Sequence, residues 1–187
     1  MRKILLMGAL ALTFACSKSS NEQAKAGECC HKNERGHPGA AADLKSLGDS
    51  GVTGEIAFYP VDGGVRAEGY VKGLPPNTTH GFHIHEHGDC SAPDGSSAGD
   101  HYNPTQHQHG APGPNSHVGD MGNITSDAEG HATVSAFIAE GAIGPGTGGH
   151  GDIIGHSVIV HAKTDDLTTQ PTGASGPRIA CGVIMAK

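Results

Sequence analysis

From Leu44 onward, apolar and polar residues alternate with the period of two that belongs to half-buried strands, not the 3.6 of helices. Val52 to Tyr59 reads as a strand ending at Pro60. Asp62-Gly63-Gly64 is a tight turn, and Val65 to Val71 returns with Arg66, Glu68 and Tyr70 on one face. Leu74-Pro75-Pro76-Asn77 breaks that strand, and Gly81 to His87 forms the next. Further strands are predicted at Met121 to Ser126, His131 to Ala139, His156 to Ala162 and Ile179 to Met185. Gly141 to Gly151 is too rich in glycine to predict regular structure. About eight short strands at this spacing predict an all-β domain, a single antiparallel sandwich or flattened barrel.

Composition adds to this picture. The chain has 187 residues, 30 of them glycine, few aromatics and no tryptophan, which suits short strands and tight turns better than a helical bundle. Residues 1–15 read as a signal peptide, with Arg2 and Lys3 before an apolar run from Ile4 to Phe14 that is too short to span a bilayer. Leu12-Thr13-Phe14-Ala15-Cys16 resembles a bacterial lipoprotein signal, with Cys16 as the lipidated residue; Phe14 departs from the small residue usual there, and plain secretion is the alternative. Residues 16–42 are polar and small, the composition of a flexible tether, which leaves 43–187 as the folded domain. Within the tether, Cys29-Cys30-His31 and His37 read as incidental thiols and imidazoles in preference to a copper or zinc trap. The formal net charge is −7; without Arg2 and Lys3 there are 10 basic against 19 acidic residues, or −9. That balance argues against nucleic acid as a partner, and an anionic substrate would need a local positive site.

Gly81 to Asp120 concentrates the chemistry. It holds seven histidines (His83, His85, His87, His101, His107, His109 and His117) and ends on a carboxylate. Imidazole and carboxylate are ligands of borderline first-row metals, so the stretch reads as a metal site, single or double; a solvated His-rich loop or an unselective metal sponge is the blander alternative. Alternation puts Phe82 and Ile84 on a core face, and His83 and His85 together on the opposite one, able to grip one ion. His87 shares that face one step further out. The long Gly/Pro/Ser/His-rich loop that follows adds His101, His109 and, in an H-x-x-D pattern, His117 and Asp120. Far along the chain, His161 closes the apolar strand that includes Ser157-Val158-Ile159-Val160, as either a ligand or a structural histidine.

GFHIHEHGDC, HYNP, HG-x-P, HVGDMGNI, VIVHAKTDD and PRIACGVI, in this order between Leu44 and Lys187, resemble the copper/zinc superoxide dismutase family. The resemblance implies an eight-stranded antiparallel Greek-key barrel or sandwich with long metal-binding and electrostatic loops. It implies copper on His83, His85, His101 and His161, and zinc on His101, His109, His117 and Asp120, with His101 as the bridge. Asp165 matches the carboxylate that links a copper ligand to a zinc ligand, Arg178 the arginine that attracts superoxide, and Cys90 and Cys181 the intrachain disulfide. Arg178 and His101 would be the catalytic side chains. His107 competes with His109 for zinc, and His109 is preferred because Gly110 and Pro112 continue the motif. The segment from Asp165 to Arg178 is shorter than in eukaryotic members and lacks their pattern of charges, which leaves Arg178 as the main cation. Cys90 directly after Gly88-Asp89 looks bacterial.

Activity would then be superoxide dismutation by copper redox cycling beside a structural zinc. The protein would be exported to a periplasm or cell envelope, touch the membrane only through a lipid on Cys16, and be a monomer or a homodimer. One rival is an envelope copper-buffering protein that reuses the fold; another is a zinc hydrolase, which lacks an evident general base beside an open zinc position. His31, His37, His80, His87, His107, His131, His150 and His156 are left without a role and read mostly as surface residues.

Overall fold

The computed structural model describes residues 37–144 and 151–187. Residues 1–15, read above as a signal peptide, and Cys16, Cys29-Cys30-His31 and His150 lie outside the described residues. Eleven strands follow: β1 (Ala40–Ser46), β2 (Thr53–Val61), β3 (Gly64–Lys72), β4 (Thr79–His85), β5 (Asp120–Thr125), β6 (His131–Ala139), β7 (Gly141–Ala142), β8 (Gly151–Asp152), β9 (Ser157–His161), β10 (Arg178–Val183) and β11 (Met185–Ala186). No α-helix occurs among the described residues.

Eight strands pair in the order β5-β4-β9-β10-β1-β2-β3-β6, every neighbour antiparallel, with β11 added beside β1. β5 and β6, the two ends of this order, are consecutive in the chain and pack together, so the sheet curls into a nearly closed barrel. The links from β3 to β4 and from β6 to β9 cross between distant places in the order, crossovers of the Greek-key kind.

Alternation fills the barrel. Ile56 and Phe58 of β2, Phe82 and Ile84 of β4, Val134 and Ile138 of β6, and Val158 and Val160 of β9 are buried in one apolar cluster. Successive residues of β2 and β3 alternate inward and outward along their ladder, and Arg66, Glu68 and Tyr70 do share the outer face. Outside the barrel, Leu47, Ala98, Ile159 and Cys181 form a second buried cluster with Cys90 packed on it. The Cys90–Cys181 disulfide, with Cα atoms 5.8 Å apart and 91 residues apart in sequence, ties the loop after β4 to β10. A native bridge in a small exported domain typically contributes about 2–5 kcal/mol.

Two expectations need correction. The folded domain includes residues before 43: β1 starts at Ala40, and Ala40 and Ala42 are buried against the core. A run of three alanines has little apolar bulk and resembles linker composition, yet Ala40 to Leu44 pairs with Phe58 to Gly54. The glycine-rich stretch also carries strand pairing, because β7 and β8 form a two-residue parallel ladder, Gly141 with Gly151 and Ala142 with Asp152.

Candidate metal centre

β4 is the base of the site. It lies between β5 and β9, and pairs Phe82 with Val160 and Ile84 with Val158. Core packing of Phe82 and Ile84 sends His83 and His85 outward, where the overlying loops leave both fully buried. An isolated antiparallel bridge sets His101 opposite His85, with Tyr102 N–H donating to Ile84 O at 2.9 Å. Asp120 opens β5 in register with His83, past an irregularity after Gly81. His161 ends β9 and pairs with Arg178 of β10.

Two groups result, and His101 belongs to both. Ligand atoms of His83, His85, His101 and His161 lie within 4.8 Å of one another, and so do those of His101, His109, His117 and Asp120. In the first group each imidazole has one nitrogen fixed from outside. His83 Nε2 pairs with Asp165 Oδ2 at 2.8 Å, His85 Nδ1 with Gly99 O at 2.9 Å, His161 Nδ1 with Gly176 O at 3.1 Å, and His101 Nδ1 with Asp120 Oδ1 at 2.9 Å. The remaining nitrogens converge: His85 Nε2 is 3.3 Å from His161 Nε2, while His83 Nδ1 and His101 Nε2 are buried with no protein partner. Four inward nitrogens, each on a ring oriented by an acceptor, match the donor set that a copper ion takes.

Asp120 Oδ1 collects the second group, with Nδ1 of His101 at 2.9 Å, of His109 at 3.0 Å and of His117 at 3.3 Å. Its other oxygen accepts the backbone N–H groups of Gly110 and His117, which fixes the carboxylate. Three imidazoles and one carboxylate, all buried, fit a closed four-ligand zinc site. His107 is not part of it: its Nδ1 lies 3.2 Å from Ser116 O, and the structure brings His109 beside Asp120 instead.

Burial pushes the His101 imidazole down to about 4 and His161 to about 3, and lowers His85 well below its ordinary value. All three are therefore neutral at neutral pH, the form that can ligate. Burial also disfavours the Asp120 carboxylate, but the hydrogen bond from His101 and the His117 imidazole close by outweigh it and hold Asp120 far below the usual carboxylate range. For His109, burial acts downward and is overcome by Asp120 and Asp165, so the net shift is upward.

Asp165 spans the two groups. Its Oδ2 meets His83 and its Oδ1 meets His109 Nε2 at 2.9 Å. Asn123 Oδ1 accepts from Asp165 N and Asn123 Nδ2 donates to Asp165 O, so the backbone under this carboxylate is fixed as well. Gly173, at φ +63°, lies against it: a Cβ there would overlap the Asp165 carboxylate and come within 2.6 Å of His109 Nε2. Arg178 is half-buried and donates through Nη1 to Gly95 O and through Nη2 to Gly99 O, the carbonyl that also orients His85.

The chain matches the family model for copper/zinc superoxide dismutase over residues 52–184. The chain belongs to the copper/zinc superoxide dismutase family. It is 42% identical over 176 residues to an extracellular copper–zinc superoxide dismutase of Onchocerca volvulus, covering 84% of this chain and 82% of the relative. A copper–zinc superoxide dismutase of Humicola lutea is 41% identical over 146 residues, covering 73% of this chain and 92% of the relative. Among solved structures, a point mutant of a SOD-like protein from Bacillus subtilis superposes with a TM-score of 0.69 at 32% identity, over 78% of this chain and 97% of that one. Copper and zinc are accordingly the metals, and superoxide dismutation the activity, of the copper/zinc type to which this chain belongs.

Not every histidine set aside as a surface residue is one. His80 is buried; its Nδ1–H donates to the carbonyl of His161 at 2.8 Å, and its Nε2 lies 2.7 Å from the Thr78 hydroxyl. It shares the core-facing parity of Phe82 and Ile84, a signal present in the alternation itself. His87 lies beyond the end of β4 and is exposed, and His156 stacks on Tyr102 with ring centroids 3.9 Å apart.

Proposed function

We propose that this superoxide dismutase holds copper on His83, His85, His101 and His161 and zinc on His101, His109, His117 and Asp120, with His101 between the two. The observation that carries the proposal is the ring chemistry of His101. Its Nδ1 faces Asp120, its Nε2 is buried without a partner among the other three inward nitrogens, and the ring is neutral at neutral pH. Bound copper supplies the one-electron change between oxidation states that dismutation of superoxide needs, while bound zinc, which has no redox change, serves structure.

The protein's own part is orientation, exclusion of water and charge. Asp165, Gly99 and Gly176 hold three rings so that one nitrogen of each points inward. His101 Nε2 is the atom where a proton can be held and passed to the departing peroxide, because its other nitrogen stays engaged on the Asp120 side. Two superoxide anions and two protons leave as dioxygen and hydrogen peroxide. Arg178 keeps a fixed positive charge next to the His85 anchor in a chain of net charge −7, which supports its role as the local attractor for an anion. Partial burial lowers the Arg178 guanidinium from its ordinary value, and the Asp100 and Asp94 carboxylates oppose that shift.

Arg178→Glu should slow copper-dependent turnover at low salt and flatten or reverse its fall with ionic strength. Steady-state dismutation measured across a salt series checks this; an unchanged rate with an unchanged salt slope would remove Arg178 from the mechanism.

Export is supported by the basic and apolar start of the chain, the disulfide, and the name of the Onchocerca relative as extracellular. Lipidation at Cys16, a bacterial envelope or periplasm as the place of action, the polar residues between Cys16 and β1 as a tether, and a homodimer are further parts of the reading. The first of these rests on Leu12-Thr13-Phe14-Ala15-Cys16, and mass spectrometry of membrane-extracted protein tests it.

A further inference from the structure

The segment after Asp165 folds back on itself. The Asp166 carboxylate accepts the backbone N–H groups of Thr168 and Thr169 at 2.9 and 2.7 Å, and the Asp166 and Gly173 main chains close the loop through 2.9 Å and 2.7 Å bonds, Asp166 N to Gly173 O and Gly173 N to Thr169 O. This turn carries Gln170 toward the zinc group. Gln170 Oε1 accepts the backbone N–H of His109 at 2.9 Å, and Gln170 Nε2 donates to the backbone carbonyl of His109 at 2.8 Å. One primary amide therefore completes both main-chain hydrogen bonds of a single residue, as a neighbouring strand would. Among the described residues, this pair is the hydrogen-bonded link between 166–177 and the loop carrying His109 and His117; the other tie, from Asp165, goes to the His109 ring.

We propose that Gln170 is a positioning residue for zinc binding, which fixes the His109 backbone so that Nδ1 stays aimed at the position shared with Asp120. The inference rests on the assignment of zinc to His101, His109, His117 and Asp120. Three restraints then define His109: Asp120 at Nδ1, Asp165 at Nε2, and Gln170 on the main chain. The first two set the ring, but a ring is only as fixed as the backbone that carries it. Gln170 also connects zinc to the copper side. The loop it closes runs on to Gly176, whose carbonyl orients His161, and to Arg178. Gln170 is itself exposed, so its replacement leaves the packing of the core untouched. A large effect on metal binding would therefore not follow from general unfolding.

The test compares wild type, Gln170→Ala and Gln170→Glu as full-length protein. Zinc Kd is measured by competition with a chromophoric chelator, the visible spectrum is recorded with cobalt(II) in the zinc position, and thermal unfolding is followed without metal. Loss of an outer partner of a metal ligand typically costs 10–100-fold in affinity. Gln170→Ala is expected to weaken zinc by that factor and shift the cobalt bands, with metal-free unfolding unchanged. Gln170→Glu keeps the acceptor, loses the donor, and should fall between. Zinc Kd within twofold of wild type in Gln170→Ala, or a metal-free form destabilised as much as the zinc form, overturns the role of Gln170. Failure of wild type itself to bind zinc, or binding unaffected by Asp120→Ala, overturns the underlying assignment instead.

Discussion

His161→Ala is expected to abolish copper-dependent superoxide dismutation while the domain stays folded and keeps zinc. His161 Nε2 lies 3.3 Å from His85 Nε2, and its Nδ1 is tied to Gly176 O, so the ring has one nitrogen for the protein and one for the ion. Removing the ring takes away a direct ligand, and the loss in copper affinity should exceed the roughly 10–100-fold cost of removing an outer partner. The zinc group contains no atom of His161. Copper and zinc stoichiometry, the dismutation rate and thermal unfolding of the same preparation check all three parts. Full copper-dependent activity in the variant would sink the copper assignment. Loss of zinc along with copper would show instead that the two groups do not separate at His101.

Asp120→Ala should have the largest effect on stability. The carboxylate is fully buried and receives the Nδ1 atoms of three histidines through one oxygen and two backbone N–H groups through the other. Without it, His101, His109 and His117 lose the acceptor around which they are gathered, and zinc loses its only anionic ligand. A ligand present at a thousand times its Kd stabilises the folded state by about 4 kcal/mol. Loss of that contribution should lower the melting temperature of zinc-loaded protein by roughly 8–16 °C, at about 2–4 °C per kcal/mol for a domain of this size. Differential scanning calorimetry with zinc analysis measures it. Unchanged zinc content and an unchanged melting temperature would contradict the placement of zinc on this carboxylate.

Much of the site was legible because strand periodicity and metal chemistry constrain the same residues. Phe82 and Ile84 must face the core, which forces His83 and His85 onto one surface, and the H-x-x-D spacing of His117 and Asp120 suits a single turn. The contacts that orient these groups were not legible. Asn123 pairs with the backbone of Asp165 across 42 residues and Gln170 with that of His109 across 61, and bonds from a side-chain amide to a distant main chain leave no periodic trace. His80 carries two opposed signals: its parity with Phe82 marks it as buried, whereas its place in a polar stretch suggests the surface. The start of β1 and the β7–β8 pair are illegible for a different reason. Alanine and glycine carry too little side chain for a hydrophobic pattern, and in both places backbone pairing defines the structure.

The most direct measurement of the central claim is metal analysis of the purified protein together with a dismutation assay before and after copper loading. Dismutation is expected to appear only with copper, at one copper and one zinc per chain, and to disappear when copper is stripped while zinc remains. Copper bound stoichiometrically without dismutation would contradict the claim and leave a copper-buffering protein built on this fold.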